Sequence, residues 1–186
     1  MATHPARRGW SYAEFARLPD DGNRYEIIAG ELCVTPSPRP LHQEMVSRLV
    51  ELLGPFIRKH RMGRLYPGPI DVLFDEGDYL IPDLVFVRRE KAATVTDRGV
   101  ESPPDLVIEI ISPSTALRDR GVKRARYAQF GVPEYWVVDA QLGRLEIYRP
   151  VNDVPDVVAA GSFVWGPAAG GPELSIDVDE LFSDLD

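Results

Sequence analysis

The sequence predicts an α/β fold in which a β-sheet of mixed direction carries helices on its faces. Three observations lead there. The run Leu106-Val107-Ile108-Glu109-Ile110-Ile111 is apolar and β-branched, with prolines on both sides, the pattern of a short buried strand. Residues 41–60 repeat His42, Met45, Leu49, Leu52, Leu53 and Phe56 at spacings of three and four, the stripe of a core-facing helix. The order of elements is helix, antiparallel strands, the apolar strand, helix, strand, which suits a mixed sheet rather than a sandwich or a bundle.

Each element has a local signal. Ser11-Tyr12-Ala13-Glu14 is a capping-box pattern and opens a short helix reaching about residue 18. Residues 24–34 read as two strands around Ala29-Gly30, a hairpin turn. After the long helix, residues 69–74 alternate weakly. Residues 75–78 form a turn, and residues 79–87 return as one strand. Residues 90–102 are polar and suit a surface loop or short helix. Ser112-Pro113-Ser114-Thr115 supplies a turn and an N-cap for a helix that Gly131 and Pro133 close. At ~100° per residue, Ala116, Arg120, Lys123, Tyr127 and Phe130 share one face of it. Residues 134–138 and 145–148 form another hairpin, and the tail carries two terminal strands and a last turn over residues 178–185.

The 186 residues, 44% hydrophobic and 27% charged, suit one domain covering 1–186 with its core over about 10–182, since domains run to ~100–200 residues. Cys33 is the single cysteine, so neither an intramolecular disulfide nor a cysteine-rich zinc site can form. No apolar leader segment opens the chain, and no membrane-length apolar run follows. A soluble, cytoplasmic protein without membrane partners is expected. The net charge of −8 and pI of about 4.9 exclude a general nucleic-acid coating protein, because an acidic surface repels polyphosphate. They do not exclude a nuclease, whose clustered carboxylates count as negative until a cation binds.

The chemistry lies in three residues. Glu109 interrupts the apolar strand. A carboxylate there costs several kcal/mol, of order ~5, unless it is paired, metal-bound or protonated, or unless the strand is an edge with Glu109 on a wetted face. Pro82, lacking an N–H, fits a strand start and places Asp83 at the end of Leu84-Val85-Phe86-Val87, where the sheet can set it beside Glu109. Two such carboxylates call for a hard divalent cation such as Mg²⁺ or Mn²⁺, which lowers the pKa of bound water and neutralises a scissile phosphate. Lys123, on a helix face with two aromatics, could orient or deprotonate the attacking water or neutralise developing charge.

These residues resemble the Uma-two family of the PD-(D/E)XK restriction-endonuclease-like superfamily. The likeness is carried by Tyr25-Glu26-Ile27-Ile28-Ala29-Gly30-Glu31, by His42, by Pro82-Asp83-Leu84-Val85, by residues 107–115, by Asp119 with Lys123, and by residues 131–139. It implies a restriction-endonuclease-like mixed β-sheet flanked by helices, with metal held by Asp83 and Glu109. It further implies a metal-dependent endonuclease acting on nucleic acid, DNA ahead of RNA, with Glu26, Asp83, Glu109 and Lys123 as the catalytic set. The alternative is a non-catalytic nucleic-acid-binding or regulatory module that keeps the fold. One position departs: Ile111 stands where the superfamily places its lysine, and Lys123 takes over from the following helix. Glu26 either completes the metal shell or is an exposed strand glutamate. His42 is either catalytic or a hydrogen-bonded core histidine, and Asp71 either supports the site or lies on a polar strand face. The resemblance also implies a homodimer, for which exposed aromatics of the terminal strands, Phe163 and Trp165, are the expected contact. Tyr135 and Trp136 are expected in the core. The arginines at 118, 120, 124 and 126 suit either a phosphate backbone or a solvated helix face.

Overall fold

The computed structural model describes residues 9–35, 37–74, 77–149, 154–158, 160–167 and 169–185. A short helix α1 (Tyr12–Phe15) is closed by the expected box: Glu14 N–H donates to Ser11 Oγ while the Glu14 carboxylate accepts from Ser11 N–H. Strands β1 (Arg24–Ile28) and β2 (Glu31–Thr35) pair antiparallel around Ala29 and Gly30, both at positive φ. They belong to one six-stranded sheet with the short strands β4 (Val72–Leu73), β5 (Tyr79–Leu80), β7 (Val95–Thr96) and β8 (Gly99–Val100), in the order β2-β1-β5-β4-β8-β7.

The second six-stranded sheet holds β3 (Gly63–Pro67), β6 (Leu84–Arg88), β9 (Leu106–Ile110), β10 (Tyr135–Asp139), β11 (Arg144–Tyr148) and β12 (Asp156–Val158), in the order β12-β11-β10-β9-β6-β3. Its β9–β10 pair is parallel and its other pairs are antiparallel, so the expected mixed sheet is present. A hairpin of β13 (Ser162–Trp165) and β14 (Leu174–Asp177) stands apart and leads into the one-turn helix α5 (Val178–Leu181).

Period two in β6 and β9 sends alternate side chains to opposite faces. Leu84, Phe86, Leu106, Ile108 and Ile110 face the long helix α2 (Pro40–Lys59), packing on its Met45, Leu49, Leu53 and Ile57. Val85, Val87, Val107 and Val137 face the other way. There they meet Tyr127 from the third helical region and Ile28, Val72 and Leu80 from the first sheet. That region is α3 (Ala116–Arg118), a π-turn (Asp119–Lys123) and α4 (Arg124–Gln129) run together.

The structure departs from several expectations. Residues 79–87 are not one strand: the chain leaves the first sheet after β5, breaks at Ile81-Pro82-Asp83 and enters the second sheet as β6, because Pro82 cannot donate to a ladder. Strand β3 was not anticipated, its Gly63, Arg64 and Pro67 giving a weak strand pattern. Strand β9 is central and wholly buried, so Glu109 is not on a wetted edge. Trp165 is buried and Phe163 half-buried, their rings packed edge-on against Trp136. Neither offers the dimer contact expected of it. Among the described residues, no helix is long and apolar enough to cross a membrane.

Candidate active site

The break at Pro82 places Asp83 where the two sheets meet. Antiparallel register puts Leu84 opposite Ile108, so the residue before Leu84 lies opposite the one after Ile108, and Asp83 and Glu109 share the sheet face away from α2. From the first sheet β1 brings Glu26, and from the π-turn come Asp119 and Lys123. All five side chains are buried and line a cleft of about 240 Å³. Arg24, Arg39, His42, Arg118 and residues 112–115 form its walls.

Lys123 sits at the centre. Its Nζ lies 2.5 Å from Glu109 Oε1 and 2.8 Å from Glu26 Oε1. Tyr127 donates its hydroxyl to Glu109 Oε1 at 3.1 Å, and Ile81 N–H donates to Glu26 Oε1 at 2.9 Å. Burial disfavours the ammonium, but the carboxylates of Glu109, Glu26 and Asp119 outweigh it, so the lysine pKa is raised and the charged form held. Glu109 is pushed well up, by burial first and then by Asp83, Asp119 and Glu26 against the pull of Lys123. Burial likewise raises Asp119. The cluster therefore holds more acid than Lys123 neutralises.

Asp83 is differently placed. Its Oδ1 accepts from Arg24 Nη1 at 3.0 Å, and its Oδ2 meets His42 Nε2 at 3.0 Å and the Ile110 N–H at 2.9 Å. Burial would raise its pKa, but these hydrogen bonds and the charges of His42 and Arg24 win, and the carboxyl lies below its ordinary value. His42 is thus hydrogen-bonded to a site acid, with its buried Nδ1 left without a partner. Asp71 does not line the cleft. Tyr135 and Trp136 are core residues as expected, Tyr135 donating its hydroxyl to the Asp119 carbonyl at 3.0 Å.

The helix preceding the lysine differs from a regular wheel. A π-turn adds a residue to the turn and is common at functional sites. Here it turns Asp119 inward with Lys123 and Tyr127, and Arg120 points elsewhere, to Glu146 (2.7 Å) and Asp139 (3.0 Å). None of the four helix arginines stands on a solvated face, each being half-buried. Arg118 donates to Thr35 Oγ1 at 2.8 Å and stands 3.9 Å from Glu26. Arg124 lies over the Tyr148 ring, and Arg126 pairs with Asp78. Sequence reasoning missed three site residues. Arg24 shares a face with Glu26 by period two, a signal that was available. Asp119 stands four residues before Lys123, helical spacing that sets both on one face, so that signal was available too, whereas Arg118, the last residue of α3, carried none.

An all-oxygen, net-negative donor set fits a hard divalent cation, and Asp119 Oδ1 is a buried acceptor with no hydrogen-bond partner. Among the described residues no three His, Cys, Asp or Glu side chains stand together as a ready metal cage. The reason is visible: Lys123 lies between Glu26 and Glu109, and Arg24 and His42 cap Asp83.

The profile of the Uma2 family, described as "putative restriction endonuclease", matches residues 12–178. The chain belongs to the Uma2 family. A crystal structure described as that of a "putative nuclease belonging to DUF820", from Anabaena variabilis ATCC 29413, superposes with a TM-score of 0.78 at 21% identity. The match covers 94% of this chain and 98% of that one, and at that identity it shows the shared fold, mixed sheets flanked by helices. Among curated proteins no relative matches the Uma2 chain.

Proposed function

We propose that this Uma2 chain is a metal-dependent nuclease hydrolysing phosphodiester bonds of nucleic acid. The observation that carries this is the convergence of Glu26, Asp83, Glu109 and Asp119 with Lys123 on the floor of one cleft, taken with the family's description. Asp83 and Glu109 would hold Mg²⁺ or Mn²⁺, which supplies an acidified water and charge neutralisation on the phosphate.

The chain's own residues do the rest. Lys123 is an ammonium fixed between two carboxylates, a stabiliser of negative charge developing on the phosphoryl oxygens rather than a base. Glu26 positions Lys123 through the 2.8 Å contact. His42 and Arg24 orient the Asp83 carboxylate, and the exposed Arg39 at the head of α2 meets incoming phosphate at the cleft wall. Asp83 is already satisfied by protein partners, which favours a second reading, a nucleic-acid-binding module that keeps the nuclease fold.

Thermal melting with added Mn²⁺ separates the two. A concentration-dependent rise in melting temperature that Asp83→Ala removes supports the metal site, because a ligand bound only to the native state stabilises it by mass action. No rise at millimolar Mn²⁺ favours the module.

A further inference from the structure

The chain has 29 acidic against 21 basic residues, and among the described residues many arginines are tied to carboxylates, including Arg48, Arg88, Arg120, Arg126, Arg144 and Arg149. One groove breaks that rule. It has a volume of about 680 Å³ and lies between the C-terminal half of α2, the end strand β3 and the 3-10 turn at Arg89–Thr94. Arg58, Arg61, Arg64 and Arg89 line it, all exposed. None of the four makes an ion pair or side-chain hydrogen bond among the described residues.

The backbone adds an independent observation. Helix α2 ends in a Schellman motif, with Met62 N–H donating to the Ile57 carbonyl and Arg61 N–H to that of Arg58. The residue in the left-handed position of that motif is Arg61, at φ 53°, where glycine is favoured because any Cβ crowds the following carbonyl. Cations near a helix C-terminus are favourable, which accounts for Arg58. It does not account for an arginine held in a glycine position, nor for Arg64 and Arg89.

We propose that this groove seats the sugar–phosphate backbone of a nucleic-acid duplex at a second point, remote from the cleft. The proposal rests on the nuclease reading for the identity of the ligand. The cleft meets α2 at His42 and the groove meets it at Arg58, about 24 Å further along at ~1.5 Å per residue. Guanidinium groups suit bidentate contact with phosphate oxygens, and free ones need break no ion pair first.

The test uses a fluorescein-labelled 30-base-pair DNA duplex and the RNA duplex of the same sequence. Binding is followed by anisotropy in EDTA across a salt series, so that no cleavage is needed. Arg61→Gly should melt at a higher temperature than wild type yet bind about eightfold more weakly at 0.1 M salt. Its log–log salt slope should be shallower by about 0.9, the effect of one lost phosphate contact. Arg64→Gln with Arg89→Gln should do the same twice over, and Arg61→Lys should restore the slope. Loss on either duplex supports the groove and says which nucleic acid it takes. Wild-type affinity and slope in both variants, or no salt-dependent binding by wild type, overturns it. Weakened variants of a protein that cleaves nothing in Mg²⁺ would keep the groove and remove the nuclease reading. Unchanged variants of an active nuclease would do the reverse.

Discussion

Replacing Lys123 with Met tests the charge balance of the cleft. The side chain is 1% exposed, and its ammonium is the contact shared by Glu26 and Glu109. Methionine fills nearly the same volume, so the loss is electrostatic: two buried carboxylates lose their common cation. Removing one partner of a buried pair costs about 3–5 kcal/mol. At ~2–4 °C per kcal/mol for a chain of this size, the melting temperature should fall by roughly 6–20 °C at pH 7.5 in EDTA. Circular-dichroism melts of wild type, Lys123→Met, Glu109→Gln and the double variant form a thermodynamic cycle. The double variant should melt above Lys123→Met, because one of the two uncompensated carboxylates has gone. A drop under about 2 °C for Lys123→Met, or a double variant no more stable than it, would refute the coupling drawn from the 2.5 Å contact.

Three further outcomes are expected. Ala29 occupies a left-handed turn position at φ 53°, so Ala29→Asn should stabilise by about 1 kcal/mol in urea unfolding; a loss would mean the turn is not strained. Trp165→Ala removes a ring packed at 5.8 Å from Phe86 and 5.9 Å from Trp136 and should cost about 3–5 kcal/mol, whereas wild-type stability with altered sedimentation would return the ring to an interface. The carboxyl of Glu146 lies below its ordinary value: burial raises it, but hydrogen bonds from Arg120 and Tyr148 and the charges of Arg120 and Arg144 outweigh that. A depressed folded pKa gives stability that is complete above the unfolded value, ~4.3, and fades as pH falls through the folded one. The stability gap between wild type and Arg120→Ala should therefore stay level from pH 8 to about 5 and close below about 4, and a gap that widens in acid would contradict the pairing.

How legible the molecule was depends on what each feature obeys. A short β-branched apolar run placed Glu109 in its strand, and the missing N–H of Pro82 placed Asp83 at a strand start. Helical spacing found α2 to within a residue at each end. The hand-over between sheets at Ile81-Pro82-Asp83 was hidden, because an apolar run that changes partner looks like one that does not. Asp119 was legible beside Lys123, since residues four apart share a helix face; what the regular wheel misplaced is Arg120, which turns away from that face to Glu146 and Asp139. The wall arginines at 24 and 118 and the helix-terminal Arg61 are ordinary charged residues by composition. Their meaning comes from which carboxylates they do, or do not, meet.

The central claim is that Asp83 and Glu109 hold a cation that drives phosphodiester hydrolysis. The most direct measurement is nicking of supercoiled plasmid DNA, with a structured RNA in parallel, by wild type, Asp83→Ala and Glu109→Gln in Mg²⁺, Mn²⁺ and EDTA. The account predicts metal-dependent cleavage by wild type, none in EDTA, and a loss of at least about a hundredfold in either variant. Wild-type rates in both variants would contradict it.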